Sequence, residues 1–403
     1  MSYSSLALIG ALLVVAYSAV ADETTTFGED LEFLKEHVDV IVLADESKNA
    51  QVAVVPAYQG RVMTSTSSGG GGDSFGWLNR ALIASDEIQP HINAYGGEDR
   101  FWMGPEGGQF GIFFDRGTPF DLDHWQTPPS LDSEPFETVS TSGTEARFRR
   151  RAIVANHAGT EFDVLIERTV RLLNREQAAA HLGISPSETL KMVAFESDNT
   201  ITNKGADPWR KEKGLLSIWI LGMFSPSPAT AIVIPFIAGP ETELGPIVND
   251  AYFGKVQEDR LAIKDDVILF RGDGNYRSKI GVRPQRAKSI LGSFAADKSL
   301  LTLVQYNKPG QPADYVNSMW EIQEEPYKGD VVNAYNDGPP APGKEPLGPF
   351  YELESSSPAV ELEPNASTSH ISRTFHFQGP EKELNEIARR VLNVNLKDIE
   401  STF

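Results

Sequence analysis

Short apolar runs, separated by glycine, proline, asparagine and aspartate, fill the chain from Val38 to about Gly379. Clear examples are Ser217 to Met223, Ala231 to Ile237 and Leu300 to Tyr306, each of which has the length of a β-strand. Short strands that follow one another at intervals of roughly 8 to 12 residues are typical of β-sandwiches. The pattern therefore predicts a mainly β, antiparallel sandwich rather than an α/β layer fold.

Helical periodicity is found in three segments of the chain. Near the N-terminus, Glu29 to His37 has the spacing of a short helix, and a strand is predicted directly after it at Val38 to Leu43. A second helix is predicted at Arg175 to Leu182, where the following glycine is a stop signal. The third, Glu381 to Leu392, carries its apolar residues on one stripe, so we expect it to pack against the sheet.

The first twenty-one residues resemble a signal peptide, because they contain no acidic or basic side chain and include the apolar run Leu6 to Tyr17. This run is shorter than the roughly 20 apolar residues that span a bilayer, and it is followed by the small-x-small pattern Ala19-Val20-Ala21. We predict cleavage after Ala21 and an extracytoplasmic location, either periplasmic or secreted. The alternative is an uncleaved anchor, because no lysine or arginine precedes the apolar run. Residues 22–403 are predicted to form a single domain.

The composition narrows the classes of function. The chain has no cysteine, which excludes disulfides and thiolate chemistry, and its net charge of −20 repels nucleic acids and anionic lipid. Neither a nucleic acid nor, after signal cleavage, a membrane is therefore an expected partner. No HExxH motif or other metal-ligand spacing occurs among the seven histidines, so no cofactor is predicted. A structural calcium ion bound by oxygen ligands is left open, and the oligomeric state is not indicated.

The densest group of polar and aromatic residues lies between His91 and Glu106. Sugar-binding sites combine an aromatic face for the apolar side of a pyranose with carboxylate, amide and guanidinium groups for its hydroxyls. This stretch and the residues shortly after it contain all of these groups. The candidates are His91, Asn93, Glu98, Arg100, Trp102, Glu106, His124 and Trp125. The alternative is that the tryptophans belong to the core and that the charged residues form a local salt bridge.

A second candidate group lies near the C-terminal end of the β-type region. Strand alternation from Phe350 onward places Glu352 and Glu354 on one face and the apolar Leu353 on the other. In a shielded cleft, mutual repulsion and desolvation would raise one carboxyl pKa and produce a general acid or base, whereas in water they would be ordinary solvated acids. Just before this strand, Asn333 and Tyr335 share a face if the chain is extended, and they are candidates for binding sugar hydroxyls.

Three segments together resemble the ordered landmarks of the galactose mutarotase-like superfamily, and most closely an exported bacterial branch of it. They are Asn93 to Glu106, Ser197 to Gly205 and Tyr351 to Pro358. The resemblance covers about residues 40–378. It implies a supersandwich of two large antiparallel sheets, with a sugar bound on the concave face of one sheet.

The resemblance also implies roles for individual residues. Leu353-Glu354-Ser355-Ser356 is similar to the Leu-Glu-Thr-Gln strand that supplies the base in aldose 1-epimerases, which makes Glu354 the candidate base. The family's His-Gly-Gly landmark is Tyr95-Gly96-Gly97 here, and the family's second histidine landmark is absent. The residues that could replace the acid are His91, His124 and Glu98.

These observations predict an exported carbohydrate-active protein that binds a saccharide or glycan and carries out acid/base chemistry at an anomeric or ring carbon, as an epimerase, a glycoside hydrolase or a lyase. The alternative is a non-catalytic glycan-binding or envelope-associated protein. Both depend on one geometric expectation, which is that the segments around Arg100 and Leu353 meet over the same hollow.

Overall fold

The structure is a computed structural model that describes residues 25–341 and 343–403. The predicted signal peptide at residues 1–21 lies outside the described residues. Within the described part of the chain, no helix combines the length and the apolar character needed to cross a membrane.

The strands form three sheets in which all pairs between named strands are antiparallel. The smallest sheet consists of β1 (Ile41–Ala44), β2 (Gln51–Val55) and β3 (Arg61–Thr66) in that order. The largest has ten strands, which are, from one edge to the other, β11 (Leu261–Lys264), β12 (Val267–Arg271), β10 (Thr230–Pro235), β14 (Ile290–Ala295), β15 (Leu300–Tyr306), β18 (Ser367–Gln378), β8 (Lys191–Asn203), β7 (Glu161–Leu172), β6 (Glu145–Ala155) and β5 (Glu137–Thr141).

The third sheet has five strands and positions the candidate site. Its order is β13 (Ser278–Val282), β16 (Val332–Asn336), β17 (Tyr351–Ser356), β9 (Ser217–Phe224) and β4 (Arg100–Gly104). Strands that are far apart in the sequence are therefore close in space, because β4 and β17 lie on either side of β9. The predicted mainly β, antiparallel fold class is confirmed.

The helices are short and lie at the ends of the chain and in the connections. They are α1 (Phe27–His37), α2 (Arg80–Ser85), α3 (Pro129–Asp132), α4 (Arg175–Leu182), α5 (Glu241–Leu244), α6 (Glu381–Ile387) and α7 (Leu396–Glu400). Single 3₁₀ turns occur at Pro56–Tyr58, Lys211–Lys213 and Ala296–Lys298, and α6 continues as a π-helix at Ala388–Leu392. The three predicted helices are confirmed. The sequence analysis missed α2 because six residues are too few to show helical periodicity.

Period-two alternation explains how the sheets pack. One face of the five-stranded sheet, with Ile280 and Leu353, packs on Ile232 and Phe270 of the ten-stranded sheet. The opposite face of the ten-stranded sheet is covered by the C-terminal helices through residues such as Leu384, as the apolar stripe predicted. The other face of the five-stranded sheet does not pack on the ten-stranded sheet, and connecting loops cover it.

Candidate functional site

The loop-covered face of the five-stranded sheet carries an unusual number of charged and aromatic side chains. Alternation along the five strands places them there, since their neighbours along each strand point into the apolar core. We call this group the polar face, and it consists of Arg100, Trp102, Trp219, Lys279, Asn333, Tyr335, Glu352 and Glu354. Strand pairing sets Arg100 opposite Leu221 and Leu221 opposite Glu354, which brings β4 and β17 within reach of each other.

Two buried ion pairs lie on the polar face. Arg100 Nη2 donates to Glu352 Oε1 at 3.0 Å, and the Arg100 guanidinium lies 4.1 Å from the centre of the Trp102 ring. Lys279 Nζ donates to Glu354 Oε2 at 3.1 Å, and all four charged side chains are buried. The partners of the first pair are 252 residues apart in the sequence, so the segments around Arg100 and Leu353 do meet over one face.

Several polar atoms of this region are buried without a hydrogen-bond partner. They are Arg100 Nε and Nη1, Trp102 Nε1, Trp125 Nε1, Ser217 Oγ and Glu354 Oε1. A buried polar group without a partner costs roughly 1–3 kcal/mol, and native structures contain few of them. Their concentration here indicates a place where a polar ligand or ordered water completes the hydrogen bonding.

Burial and the neighbouring charges change the proton affinities of these groups. Burial raises the pKa of the Glu352 carboxyl from 4.5 to about 7, against the opposing effect of Arg100. Burial also raises the pKa of Glu106, while the ammonium group of Lys279 opposes the shift and the Glu354 carboxylate adds to it. Although desolvation alone lowers the pKa of Lys279, the carboxylates around it raise it, so this side chain remains a cation.

Two cavities lie beside the polar face. Cavity A has a volume of 780 Å³ and is bounded by α2, by Trp125 and by Tyr335. Cavity B has a volume of 380 Å³ and is bounded by Tyr252, Lys279 and the segment after Ser318. Residues that line both cavities are Glu106, Leu122, Phe253, Arg277 and Trp320. Because they share these residues, we treat the two cavities as one cleft.

The match to a protein family covers nearly the whole described chain. The model of a family of unknown function, DUF6786, matches residues 25–403. The chain belongs to the DUF6786 family. A comparison of this DUF6786 chain with curated proteins finds no match.

Solved structures similar to this DUF6786 chain include three bacterial proteins. The Slr1438 protein from Synechocystis is 14% identical, with 85% of this chain and 96% of that chain covered and a TM-score of 0.48. A galactose mutarotase-like protein from Lactobacillus casei is 9% identical, with coverage of 84% and 100% and a TM-score of 0.47. A galactose mutarotase related enzyme from Lactobacillus acidophilus is 8% identical, with coverage of 85% and 98% and a TM-score of 0.45. Two of these three solved structures are described as galactose mutarotase-like or galactose mutarotase related. Structural similarity at 8–14% sequence identity says nothing about a reaction.

Several predicted site residues of this DUF6786 chain lie in the cleft or beside it. His91, Glu106, Trp125 and Tyr335 line cavity A, and Tyr335 donates its hydroxyl hydrogen to Asp337 at 2.7 Å. Asn333 lines a chamber of about 10 Å³ behind Lys279, together with Ser217 and Tyr252. Arg100, Trp102 and Glu352 lie on the polar face as predicted, but among the described residues they are not part of the lining of either cavity.

Glu354 is placed differently from what the role of a base requires. Its side chain is 0% exposed and lines neither cavity in the described part of the chain. Glu354 Oε2 accepts from Lys279 Nζ at 3.1 Å and from Trp219 Nε1 at 2.9 Å. Glu354 therefore contacts the cleft through Lys279 and acts on it as a positioning group.

Asn93 and Glu98 are not among the described residues that line the cleft. Asn93 Nδ2 donates to Asp132 Oδ2 at 2.7 Å, and its Oδ1 accepts from the backbone of Gln89, so the side chain is used in holding a loop. Glu98 Oε2 lies 2.6 Å from His376 Nε2 in the interior between the sheets. The two residues were chosen because polar and aromatic residues are dense between His91 and Glu106, and that density does not show in which direction each side chain points.

His124, another candidate acid, also lies outside the lining of the cleft. Its Nδ1 lies 2.6 Å from Asp121 Oδ1 at the surface, where both side chains are largely exposed. His124 is not among the described residues that line the cleft. The sequence showed its closeness to Trp125, but it could not show that the two side chains point in different directions.

Sequence reasoning missed several groups that complete the site. They are Trp219, Tyr252, Arg277, Lys279 and Trp320. Lys279 had one detectable signal, because a lysine between a serine and an isoleucine in the short run Ser278–Val282 is unusual for a buried strand. Tyr252, Arg277 and Trp320 lie in loops or next to a strand end, where periodicity gives no information. Trp219 lies within β9, where alternation places it on the polar face. Within the described residues, no group of three or more histidine, aspartate or glutamate side chains is arranged to hold a metal ion.

Proposed function

We propose that this protein is an exported carbohydrate-active protein that binds a saccharide in the cleft beside the polar face and carries out acid/base chemistry on it. Export is supported by the apolar run and the small-x-small pattern within residues 1–21. The cleft supports saccharide binding because it offers indole rings for the apolar side of a pyranose, at Trp125 and Trp320, beside carboxyl, guanidinium and phenol groups for its hydroxyls.

The proposal rests on the polar atoms that are buried here without partners. Trp125 lines cavity A, and its indole Nε1 is a donor only, which interacts with the Glu106 carboxyl without forming a hydrogen bond of good geometry. Leu122 and Phe253 also line the cleft and are 53% and 41% exposed, although both are large and apolar. A cleft that combines unsatisfied donors with exposed apolar surface is typical of a ligand site for an amphipathic molecule such as a sugar.

Glu106 is the leading candidate for proton transfer. It lines both cavities, and burial raises the pKa of its carboxyl, as is common for groups that transfer protons in active sites. Lys279 lines cavity B and remains cationic, so it is suited to stabilise negative charge that develops on a sugar oxygen. Glu354 holds Lys279 in position, and this indirect role replaces the predicted role as a base.

Glu106→Gln tests the proposal. The natural chain and the variant are screened against a glycan library, and both binding and product formation are measured. We expect Glu106→Gln to retain binding within about tenfold and to lose product formation by about 100-fold or more, because general acid/base groups contribute roughly 10²–10⁴-fold. Asp115→Asn is the matched control, since Asp115 is an exposed acid nearby that does not line the cleft. The absence of binding to every carbohydrate would refute the proposal.

A non-catalytic glycan-binding or envelope-associated protein is the second candidate function. It is favoured by the full burial of Glu354 in an ion pair and by the lack of any histidine among the described residues that line cavity B. In this case the same screen gives binding without product for the natural chain. Glu106→Gln then changes only affinity, which separates the two candidates.

A further inference from the structure

The cleft is divided into two parts of different character. Cavity B is the part that the Lys279 ammonium group lines, together with Tyr252 and Ser318. Cavity A is larger and combines apolar side chains such as Leu82 and Leu347 with the hydroxyl of Tyr335. We infer that the occupant is an uncharged oligosaccharide of at least two sugar units, with one unit in each cavity. This inference rests on the proposed function and specifies its substrate class.

The volume of the cleft exceeds what one sugar needs. Cavities of roughly 300–1,000 Å³ hold drug-sized ligands, and a single hexose is smaller than such a ligand. Cavity B alone, at 380 Å³, is large enough for one ring, and cavity A adds a separate space of 780 Å³. A monosaccharide in cavity B would therefore leave the Trp125 ring, which lines cavity A, without a ligand contact.

The junction between the cavities has groups that suit a chain passing through it. Glu106, Arg277 and Trp320 line both cavities, so a linkage that crosses from one to the other contacts a carboxyl, a guanidinium and an indole. Trp125 stacks on Trp320 with ring centres 6.0 Å apart, which extends the aromatic surface from the junction into cavity A. Extended aromatic surface with hydrogen-bonding groups at its edge is suited to consecutive sugar rings.

Charge selects against anionic sugars. Five acidic residues line cavity A and three line cavity B, and because Glu106 belongs to both, the described lining contains seven acids. It contains only two permanently cationic side chains, Arg277 and Lys279, and the whole chain has a net charge of −20. Uronic acids or sulfated sugars would meet repulsion in this cleft, while uncharged hydroxyls find many acceptors.

Ala81→Trp provides a selective block of cavity A. Ala81 is exposed on α2 and lines cavity A, so an indole at this position fills the cavity without entering the protein core. Ala84→Trp is the matched control, because Ala84 is exposed on the same helix and does not line the cleft. Thermal unfolding followed by circular dichroism verifies that both variants are folded.

Calorimetric titration with uncharged oligosaccharides of one to six units, taken from the best-binding series in the glycan screen, tests the inference. In the natural chain and in Ala84→Trp, we expect affinity to rise by about tenfold or more from one unit to the longer members, which corresponds to about 1.4 kcal/mol. Ala81→Trp should lose this gain and keep the affinity for the single unit. Uronic acid oligomers of equal length should bind about tenfold more weakly or worse.

The contrary outcomes are distinct. If the single unit binds the natural chain as tightly as the longer members, or if folded Ala81→Trp keeps the gain, the two-unit occupant is wrong while saccharide binding stands. Equal or tighter binding of uronic acid oligomers overturns the uncharged class alone. If no carbohydrate binds, both the inference and the proposed function fail.

Discussion

Two buried arginines show how the interior of the molecule differs from the polar face. Arg168, on β7, donates to the Gly60 carbonyl at 3.0 Å, to Asn199 Oδ1 at 2.6 Å and to the carboxylate of Asp99, so each of its nitrogens has a partner. Arg100 is buried to a similar degree, yet only its Nη2 has a partner, and its Nε and Nη1 have none.

Adjacent residues contribute to the two environments. Asp99 points into the interior towards Arg168, and Arg100 points to the polar face towards Glu352. Burial of a charge therefore does not by itself mark a functional site. The distinguishing feature is incomplete hydrogen bonding, because a fully satisfied pair serves stability while an unsatisfied one retains capacity for a ligand.

The largest effect is expected from Arg168→Met. The substitution leaves the Asp99 carboxylate buried without its cation, and breaking a buried pair in this way costs about 3–5 kcal/mol of unfolding free energy. Urea denaturation at pH 7 measures the change. Arg151→Met is the control, because the Arg151 pair with Asp163 is exposed and is expected to cost at most about 1 kcal/mol. Equal losses in the two variants would contradict a structural role for the Arg168 network.

A smaller loss is expected from Arg100→Met. The substitution leaves Glu352 without its ion-pair partner. Burial already raises the pKa of Glu352 to about 7, so its carboxyl can become neutral by taking up a proton. The substitution also removes two unpartnered nitrogens that cost free energy in the folded state. We expect a loss of about 1–3 kcal/mol in the same denaturation experiment. A cost as large as that of Arg168→Met would remove the contrast between the two regions.

The third prediction concerns how the stability of Glu352→Gln depends on pH. A carboxyl whose folded-state pKa is raised from 4.5 to about 7 binds a proton more tightly in the folded state, so its contribution to stability is present below pH 4.5 and is lost as the pH rises to about 7. For one group, the unfolding free energy changes by at most about 1.4 kcal/mol per pH unit. Glu352→Gln should remove the pH dependence that the Glu352 carboxyl contributes, so the variant gains stability relative to the natural chain as the pH rises from 4.5 to about 7.

Denaturation at several pH values between 4.5 and 7 gives this comparison. Glu137→Gln is the control, because the pKa of Glu137 is lowered by Arg149 at the surface and its contribution changes below this window. Parallel curves for Glu352→Gln and the natural chain would show that the Glu352 pKa is not raised.

Local patterns in the sequence predicted much of the fold. The bounds of α4 and β15 agree with the prediction at both ends, and α4 ends at the predicted stop signal, Gly183. Alternation also placed Glu352 and Glu354 correctly on one face of β17, opposite Leu353. The sequence did not show where the side chains of Asn93 and Glu98 point, because the chain between them is a loop without a regular period. Gly96 and Gly97 adopt positive φ angles of 97° and 108°, which redirect this loop.

The amino-acid sequence by itself determined which residues alternate between core and polar face, because side-chain direction along a strand depends only on position within the strand. It could not determine that β4, β9, β13, β16 and β17 lie side by side, since the sheet they form brings together side chains up to 252 residues apart in the sequence. Only that pairing brings Lys279 to Glu354 and Arg100 to Glu352. The tertiary structure therefore decided the proton affinities and the shape of the cleft, which arise from burial and from charges contributed by distant strands.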